Sequence, residues 1–173
     1  MNAKESIYIP GVVIDLNKFS NLTFNEINKK RRDLNIPEGS LILLSIGELS
    51  DRKNHKVVIE ALKNIPNSKI TDVICGQDYL LEELQELVKK YGLESRVLFL
   101  GFRKDIKEIC NASEIFLFPS MHEWLPDSVM EAMACRLPVV ASNMRGNRDL
   151  VDDKKGRGDT PAFYEETIKK FDR

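Results

Sequence analysis

The chain has 173 residues, of which 42% are hydrophobic and 31% charged, and its formal net charge is −1. A chain of this length and composition is typical of one globular domain with a real core. The near-zero charge argues against nucleic acid as a partner, because nucleic-acid binding relies on a basic surface.

Cysteines and apolar runs indicate the compartment. The three cysteines are widely spaced and lack CxxC spacing, which favours buried thiols in a reducing compartment over a disulfide framework. No apolar segment approaches the roughly 20 residues of a membrane helix, and the first residues lack the apolar run of a signal peptide. We therefore expect a cytoplasmic protein.

Short apolar runs alternate with amphipathic helical segments along the chain. A polar helix is predicted first, within 23–39. The elements predicted after it, in chain order, are strand 41–47, helix 53–65, strand 70–76, helix 79–93, strand 96–101, helix 105–112, strand 114–120, helix 126–135 and strand 137–142. The charged tail, 152–173, is expected to hold one short helix near 161–171.

Five strand-then-helix units with near-continuous apolar strands predict an α/β fold. The parallel sheet would be covered by helices on both faces, and right-handed crossovers make it an open, Rossmann-like sheet. Binding sites in such sheets lie at the carboxyl ends of the strands. The loops that follow the five strands are therefore the candidate functional segments.

The segment after the fourth strand carries two glutamates. Pro126 precedes a helix whose first N–H groups are free to bind an anion. Glu131 lies in that helix, and its side chain leans back toward the helix start, where it can accept hydrogen bonds from sugar hydroxyls. Glu123 precedes the turn and can face the same space. Taken alone, Glu131 is better explained as a solvated helix carboxylate and Glu123 as a surface charge of the loop, and only the surrounding segments favour the binding role.

Two other loops carry weaker signals. In the loop after the first strand, Gly47 permits a tight turn, and Arg52 and Lys53 stand where a phosphate would lie, although both can be plain surface charges. This loop lacks the P-loop and GxGxxG patterns. Phe102 and Arg103 can flank a base ring after the third strand, or form an ordinary turn. The two histidines lack metal-ligand spacing.

Together these loops resemble one family, the retaining glycosyltransferases of GT-B fold (group 1, or family 4) that use nucleotide-sugar donors. More narrowly, the chain resembles the C-terminal, donor-binding domain of bacterial capsule or exopolysaccharide glycosyltransferases. The matching segments, in family order, are YIPGVVIDLNKF, SIGELSDRKNH, VICGQ, LGFRKDIKEI, FPSMHEWLPDSVMEAMACRLPVVAS and RGNRDLV. The resemblance covers most of residues 7–151.

The resemblance implies roles for the candidate residues. Glu123 and Glu131 match the family's E-x7-E motif, so Glu123 would face the donor sugar near the reacting carbon and Glu131 would bind the ribose. Lys53 would neutralise the diphosphate, with Arg52 beside it. No metal or other cofactor is implied. The further donor-binding positions, which would contact sugar, phosphate or a uracil base, are Gly47, Trp124, Leu125, Pro126, Asp127, Ser128, Phe102 and Arg103.

Several residues depart from the family pattern. Trp124 stands where the family commonly has glycine, and its ring would crowd the donor sugar. Arg136 replaces a helix-ending glycine, and Val13 and Asp78 replace other frequent glycines. Glu48 aligns with a basic residue of the family's phosphate loop. These changes leave open a degenerate, non-catalytic binding or partner module.

The resemblance also implies what the whole enzyme does. It would transfer a hexose from a nucleotide sugar, a UDP-sugar by expectation, to a polysaccharide or lipid-linked acceptor, and it could associate peripherally with a membrane. An N-terminal acceptor-binding domain, or a separate subunit, would complete it. The chain would then be an excised domain, a gene fragment or half of a split enzyme, inactive alone. A nucleotide-sugar epimerase-like domain is another alternative.

Overall fold

The computed structural model describes residues 14–66, 69–151 and 161–171. The departure at Val13 lies outside these residues, as does most of the charged tail before the last helix. The fold below refers to the described residues.

The five predicted strands form one parallel sheet with the order β3-β2-β1-β4-β5. Every residue of β2 and β4 is buried. The strands are continuous apolar runs because helices cover both faces of the sheet. The strand bounds are β1, Leu41–Ile46; β2, Ile70–Cys75; β3, Val97–Gly101; β4, Ile115–Phe118; and β5, Val139–Ala141.

Helices connect the strands. One turn of 3-10 helix, Asp51–Lys53, precedes the second α-helix. No helix in the described ranges is both long and apolar enough to cross a membrane. The helix bounds are α1, Phe24–Asp33; α2, Lys56–Lys63; α3, Leu81–Lys90; α4, Ile106–Asn111; α5, Asp127–Ala134; and α6, Pro161–Phe171.

The helices α2 to α5 each begin one to three residues later than predicted, and for α2 and α5 the backbone gives the reason. The continuous helix expected from residue 53 starts at Lys56, because Asn54 has a left-handed backbone (φ 50°) that a helix cannot continue through. The helix expected from Pro126 starts one residue later, because Pro126 has an extended backbone (φ −80°, ψ 110°) and serves as the N-cap.

The alternation of side chains along each strand divides the core in two. Leu43 and Ile74 face a cluster that includes residues of α2, α3 and α6. Leu44 and Val73 face the opposite cluster, which includes residues of α4 and α5. Each fully buried Leu, Ile or Val contributes roughly 1.5–3 kcal/mol of apolar transfer free energy, so both layers stabilise the sheet.

The strand order determines where a crevice opens. The chain runs outward from β1 to β3 and then crosses back to place β4 on the other side of β1. Connections after β1 and β4 therefore leave in opposite directions, and the loops at this switch point are where ligands bind in open α/β sheets. The two loops are residues 47–55 and 119–126.

Candidate functional site

The side chain of Glu123 is the centre of the crevice between β1 and β4. Its Oε1 accepts hydrogen bonds from Arg52 Nη1 at 2.7 Å, Lys53 Nζ at 2.7 Å and Ser120 Oγ at 2.6 Å. The side chains of Glu123 and Lys53 are only 10% and 12% exposed. Charge-assisted bonds of this length are strong where water is largely excluded, so these four residues form one hydrogen-bonded cluster.

Two glycines allow close packing around Lys53. A Cβ on Gly47 would lie 3.1 Å from the Lys53 side chain, so the bare backbone gives this side chain room. The Lys53 ammonium then lies 4.8 Å from the centroid of the Phe118 ring, a cation–π contact. A Cβ on Gly76 would lie 1.8 Å from the Gly47 carbonyl oxygen, so the loops after β1 and β2 are also in direct contact.

Arg52 has a second acidic partner. Its Nη2 lies 3.0 Å from Glu48 Oε2, and its carbonyl oxygen accepts from the Met121 N–H at 2.8 Å, which ties the two loops together. The formal charges of Arg52 and Lys53 are thus balanced by those of Glu48 and Glu123. The site has two cations within reach of an anionic ligand, and each is already paired.

A cavity of about 410 Å³ opens beside this cluster. Its volume lies in the range of small-molecule sites. Phe102 is 67% exposed at its edge, and Asp105 holds Arg103 through bonds of 2.8 and 2.6 Å. Arg103 in turn keeps the pKa of Asp105 well below its ordinary value. The residues lining the cavity are Ile46, Gly47, Glu48, Cys75, Gly76, Gln77, Phe102, Arg103 and Ile106.

Glu131 lies apart from the cluster, on α5. Burial raises the pKa of its carboxyl group, the neighbouring Asp127 raises it further, and Lys18 acts in the opposite direction. Within the described residues its carboxylate forms neither a hydrogen bond nor an ion pair, and Glu131 does not line the cavity. Its oxygens are free to accept hydrogen bonds from hydroxyl groups.

Trp124, the residue after Glu123, is exposed. The indole is 76% exposed, Arg145 Cζ lies 5.6 Å from its centroid, and the His122 ring meets its edge at 6.4 Å. Leu125 and the buried Pro126 lead from it into α5. Asp127 and Ser128 then begin the helix, and their N–H groups have no intrahelical partner.

The predicted site residues thus fall into four groups, one of which is the segment from Trp124 to Ser128 that leads into α5. Arg52, Lys53 and Glu123 are in direct contact, Phe102 and Arg103 border the cavity with Gly47, and Glu131 stands alone on α5. Sequence reasoning missed Ser120, whose only signal was its place at the carboxyl end of β4. The described ranges contain no group of three His, Cys, Asp or Glu side chains that could hold a metal ion.

The family model described as "Glycosyl transferases group 1" matches residues 26–167. An Escherichia coli relative, UDP-Gal:alpha-D-GlcNAc-diphosphoundecaprenol alpha-1,3-galactosyltransferase, is 34% identical over 82% of this chain and 38% of its own length. The putative glycosyltransferase EpsD of Bacillus subtilis is 29% identical over 90% of this chain and 42% of its own.

The crystal structure of Anabaena HepE in complex with UDP-glucose superimposes with a TM-score of 0.80 and 28% identity. The match covers 92% of this chain and 45% of HepE, and HepE has also been solved with UDP and glucose. The Rossmann-like sheet is therefore that of the GT-B structures. The chain spans less than half the length of these relatives.

Proposed function

Because the chain belongs to the group 1 glycosyltransferases, we propose that it is the donor-binding domain of a retaining enzyme and that its donor is a UDP-sugar. The observation that carries this proposal is the cluster of Arg52, Lys53 and Glu123 at the switch point of the sheet, beside the 410 Å³ cavity. The UDP and UDP-glucose complexes of HepE support the choice of nucleotide.

The geometry suggests how the donor is divided among these groups. The uracil enters the cavity between Phe102 and Gly47, with Arg103 at its edge. The diphosphate meets Lys53 and Arg52, and the start of α5 adds free N–H groups. An arriving diphosphate must compete with Glu123 for both cations, since Glu123 holds them in the unliganded protein.

The two glutamates have different tasks in this proposal. Glu131, whose carboxylate has no partner in the described part of the chain, accepts hydrogen bonds from the ribose hydroxyls. Once the diphosphate takes over Lys53 and Arg52, Glu123 is released toward the donor sugar, near the anomeric carbon. No metal is needed, because the two cations and the helix start offset the charge of the leaving UDP.

The reaction we propose is transfer of a hexose, with retention, to a polysaccharide or lipid-linked acceptor. Positioning both substrates supplies much of the acceleration in such reactions. The acceptor is expected to bind a second domain or subunit that completes the cleft, in the cytoplasm and in peripheral contact with a membrane. This chain by itself would then bind donor and transfer little or no sugar.

Calorimetric titration with UDP, UDP-glucose and UDP-galactose tests the proposal. Lys53→Ala and Glu131→Ala should each weaken UDP binding about tenfold, the loss expected for a charge-assisted contact. Lys56→Ala is the matched control, because this exposed lysine begins α2 outside the cluster. EDTA should change nothing. Folded protein that binds none of the three ligands would contradict the proposal.

The alternative, a module that has lost donor binding, draws on one observation. Glu48 pairs with Arg52 at 3.0 Å and cancels a charge that the diphosphate would use. In that case UDP binding should be absent in the natural sequence. Replacing Trp124 by glycine and Glu48 by lysine together should then restore it, which calorimetry would measure.

A further inference from the structure

A buried chain of hydrogen bonds leads from the turn after β5 to Glu123. Asn147 Nδ2 donates to the Ser142 Oγ at 2.9 Å and to its carbonyl oxygen at 3.2 Å. Ser142 Oγ donates to the Ser120 carbonyl oxygen, and Ser120 Oγ donates to Glu123 Oε1 at 2.6 Å. Asn147, Ser142 and Ser120 are each no more than 2% exposed.

Breaking this series of hydrogen bonds is energetically unfavourable. A polar group buried without a partner loses its hydration and gains nothing in exchange, so each member fixes the position of the next. The Ser142 N–H also donates to the Phe118 carbonyl oxygen at 3.0 Å. The turn after β5 is therefore attached to β4 at the point where the chain leads on to Glu123.

The same turn supports the Glu123 loop sterically. Gly146 has a left-handed backbone (φ 87°), and a Cβ there would lie 2.7 Å from the carbonyl oxygens of both Glu123 and Trp124. Arg145, the preceding residue, lies over the Trp124 ring at 5.6 Å. The Gly146 backbone beside both carbonyls and the Arg145 cation over the indole thus support the loop that carries Glu123.

We propose that the turn of residues 142–147, acting through Ser142 and Asn147, positions Glu123 for the donor sugar. These are positioning residues, because they reach the ligand only through Ser120 and Glu123. The inference rests on the proposed function in one respect, namely that Glu123 faces the sugar of the donor. It assigns a role to a segment outside the E-x7-E motif and outside the phosphate loop.

The binding test is a double-mutant cycle with UDP and UDP-glucose as probes. Ser142→Ala should weaken UDP-glucose binding about fivefold, the loss of one good hydrogen bond, and change UDP binding less than about twofold. In a Glu123→Ala background the same substitution should have no further effect. Ser113→Ala is the control, because Ser113 loses a comparable 2.8 Å bond, to the Ile109 carbonyl, near the amino end of β4.

Two results of the cycle would overturn the proposal. One is an equal loss of UDP and UDP-glucose affinity, which would mean general damage to the fold. The other is an undiminished effect of Ser142→Ala when Glu123 is absent. Ser142→Cys, nearly the same size but a weak donor, serves as the second variant if alanine prevents folding, with circular dichroism as the check.

A ligand-free measurement separates this inference from the proposed function. Trp124 is the only tryptophan in the chain, so its fluorescence reports on the Glu123 loop. Ser142→Ala and Gly146→Ala should lower its anisotropy and increase quenching by acrylamide, and Ser113→Ala should not. If the natural protein bound neither UDP nor UDP-glucose, the proposed function would fail while this test still applied. Unchanged Trp124 fluorescence in both variants would refute the positioning role.

Discussion

At the scale of single residues, the unliganded site is electrically balanced. Glu123 accepts from both Arg52 and Lys53, and Glu48 takes up the second donor group of Arg52. The side chains of Arg52 and Glu48 are 40% and 59% exposed, so the ion pair between them is weak. Glu48 is thus a weak competitor of an incoming diphosphate, and Glu123 is the stronger one.

Glu48→Gln should therefore strengthen UDP binding about threefold at low ionic strength, since an exposed pair contributes at most ~1 kcal/mol. The gain should shrink at high salt, because screening weakens exposed charge interactions. Calorimetry at two salt concentrations measures both. Glu38→Gln, which removes an exposed charge just before β1, is the control. Unchanged affinity at low salt would show that Glu48 does not compete with the diphosphate.

Arg136 is a second residue that is unfavourable at its position, because the backbone there suits glycine. It follows α5 with a left-handed backbone (φ 60°), while the next N–H, of Leu137, donates to the Ala132 carbonyl. A side chain in this conformation costs about 1–2 kcal/mol. The glycine expected there from the family pattern would remove that strain.

Arg136→Gly should therefore raise the free energy of unfolding by about 1 kcal/mol, measured by urea denaturation. Gly92→Ala is the reciprocal control. Gly92 ends α3 with φ 67° and open space around its missing Cβ, so alanine there should lower stability by a similar amount through the backbone alone. A loss of stability in Arg136→Gly would mean that the guanidinium makes a compensating contact.

At the scale of elements, the strands were predictable because burial on both faces imposes uninterrupted apolar runs. Helix starts were harder, because they depend on single backbone conformations such as those of Asn54 and Pro126. The candidate loops followed from the rule that sites lie at strand carboxyl ends. The contacts within these loops could not be predicted, because they depend on the strand order. The bonds from Ser120 to Glu123 and from Asn147 to Ser142 are examples.

The contact between the loops after β1 and β2 gives an element-scale prediction. Gly76→Ala would bring a Cβ to 1.8 Å from the Gly47 carbonyl oxygen, and the two loops would have to separate. We expect a loss of about 1–3 kcal/mol in stability, together with at least tenfold weaker UDP binding, measured by denaturation and calorimetry. Gly39→Ala is the control for binding: its missing Cβ has open space, but its left-handed backbone (φ 74°) makes alanine strained, so this variant before β1 should lose stability without losing UDP affinity. Unchanged UDP affinity in Gly76→Ala would contradict the contact.

At the scale of the whole molecule, two buried ionisable groups make opposite contributions to the pH dependence of stability. Asp72, in the middle of β2, has neither carboxylate oxygen hydrogen-bonded within the described residues, and burial raises its pKa to about 7. His55, just before α2, is buried as well, and burial lowers its pKa to about 4 despite a 3.2 Å contact with the Glu48 carbonyl.

The signs follow from proton binding in the folded and unfolded states. Asp72 contributes stability that is present below about pH 4 and lost as the pH rises to about 7. His55 contributes stability that is present above about pH 6.5 and lost as the pH falls to about 4. Each shift corresponds to a few kcal/mol, at roughly 1.4 kcal/mol per pKa unit. In the natural protein the two contributions largely cancel between about pH 4 and 6.5.

Single substitutions should reveal the pH dependence of the free energy of unfolding that each group contributes. Asp72→Asn should raise the free energy of unfolding by about 3 kcal/mol at pH 8, where the buried carboxylate would be charged, and change it little at pH 4. Stability of this variant should then fall from pH 6.5 to 4, because His55 alone remains. His55→Gln should show the opposite trend, gaining stability as the pH falls from 7 to 4. Urea denaturation across this pH range measures both, and parallel profiles for the two variants would show that neither group titrates in the folded protein as its burial implies.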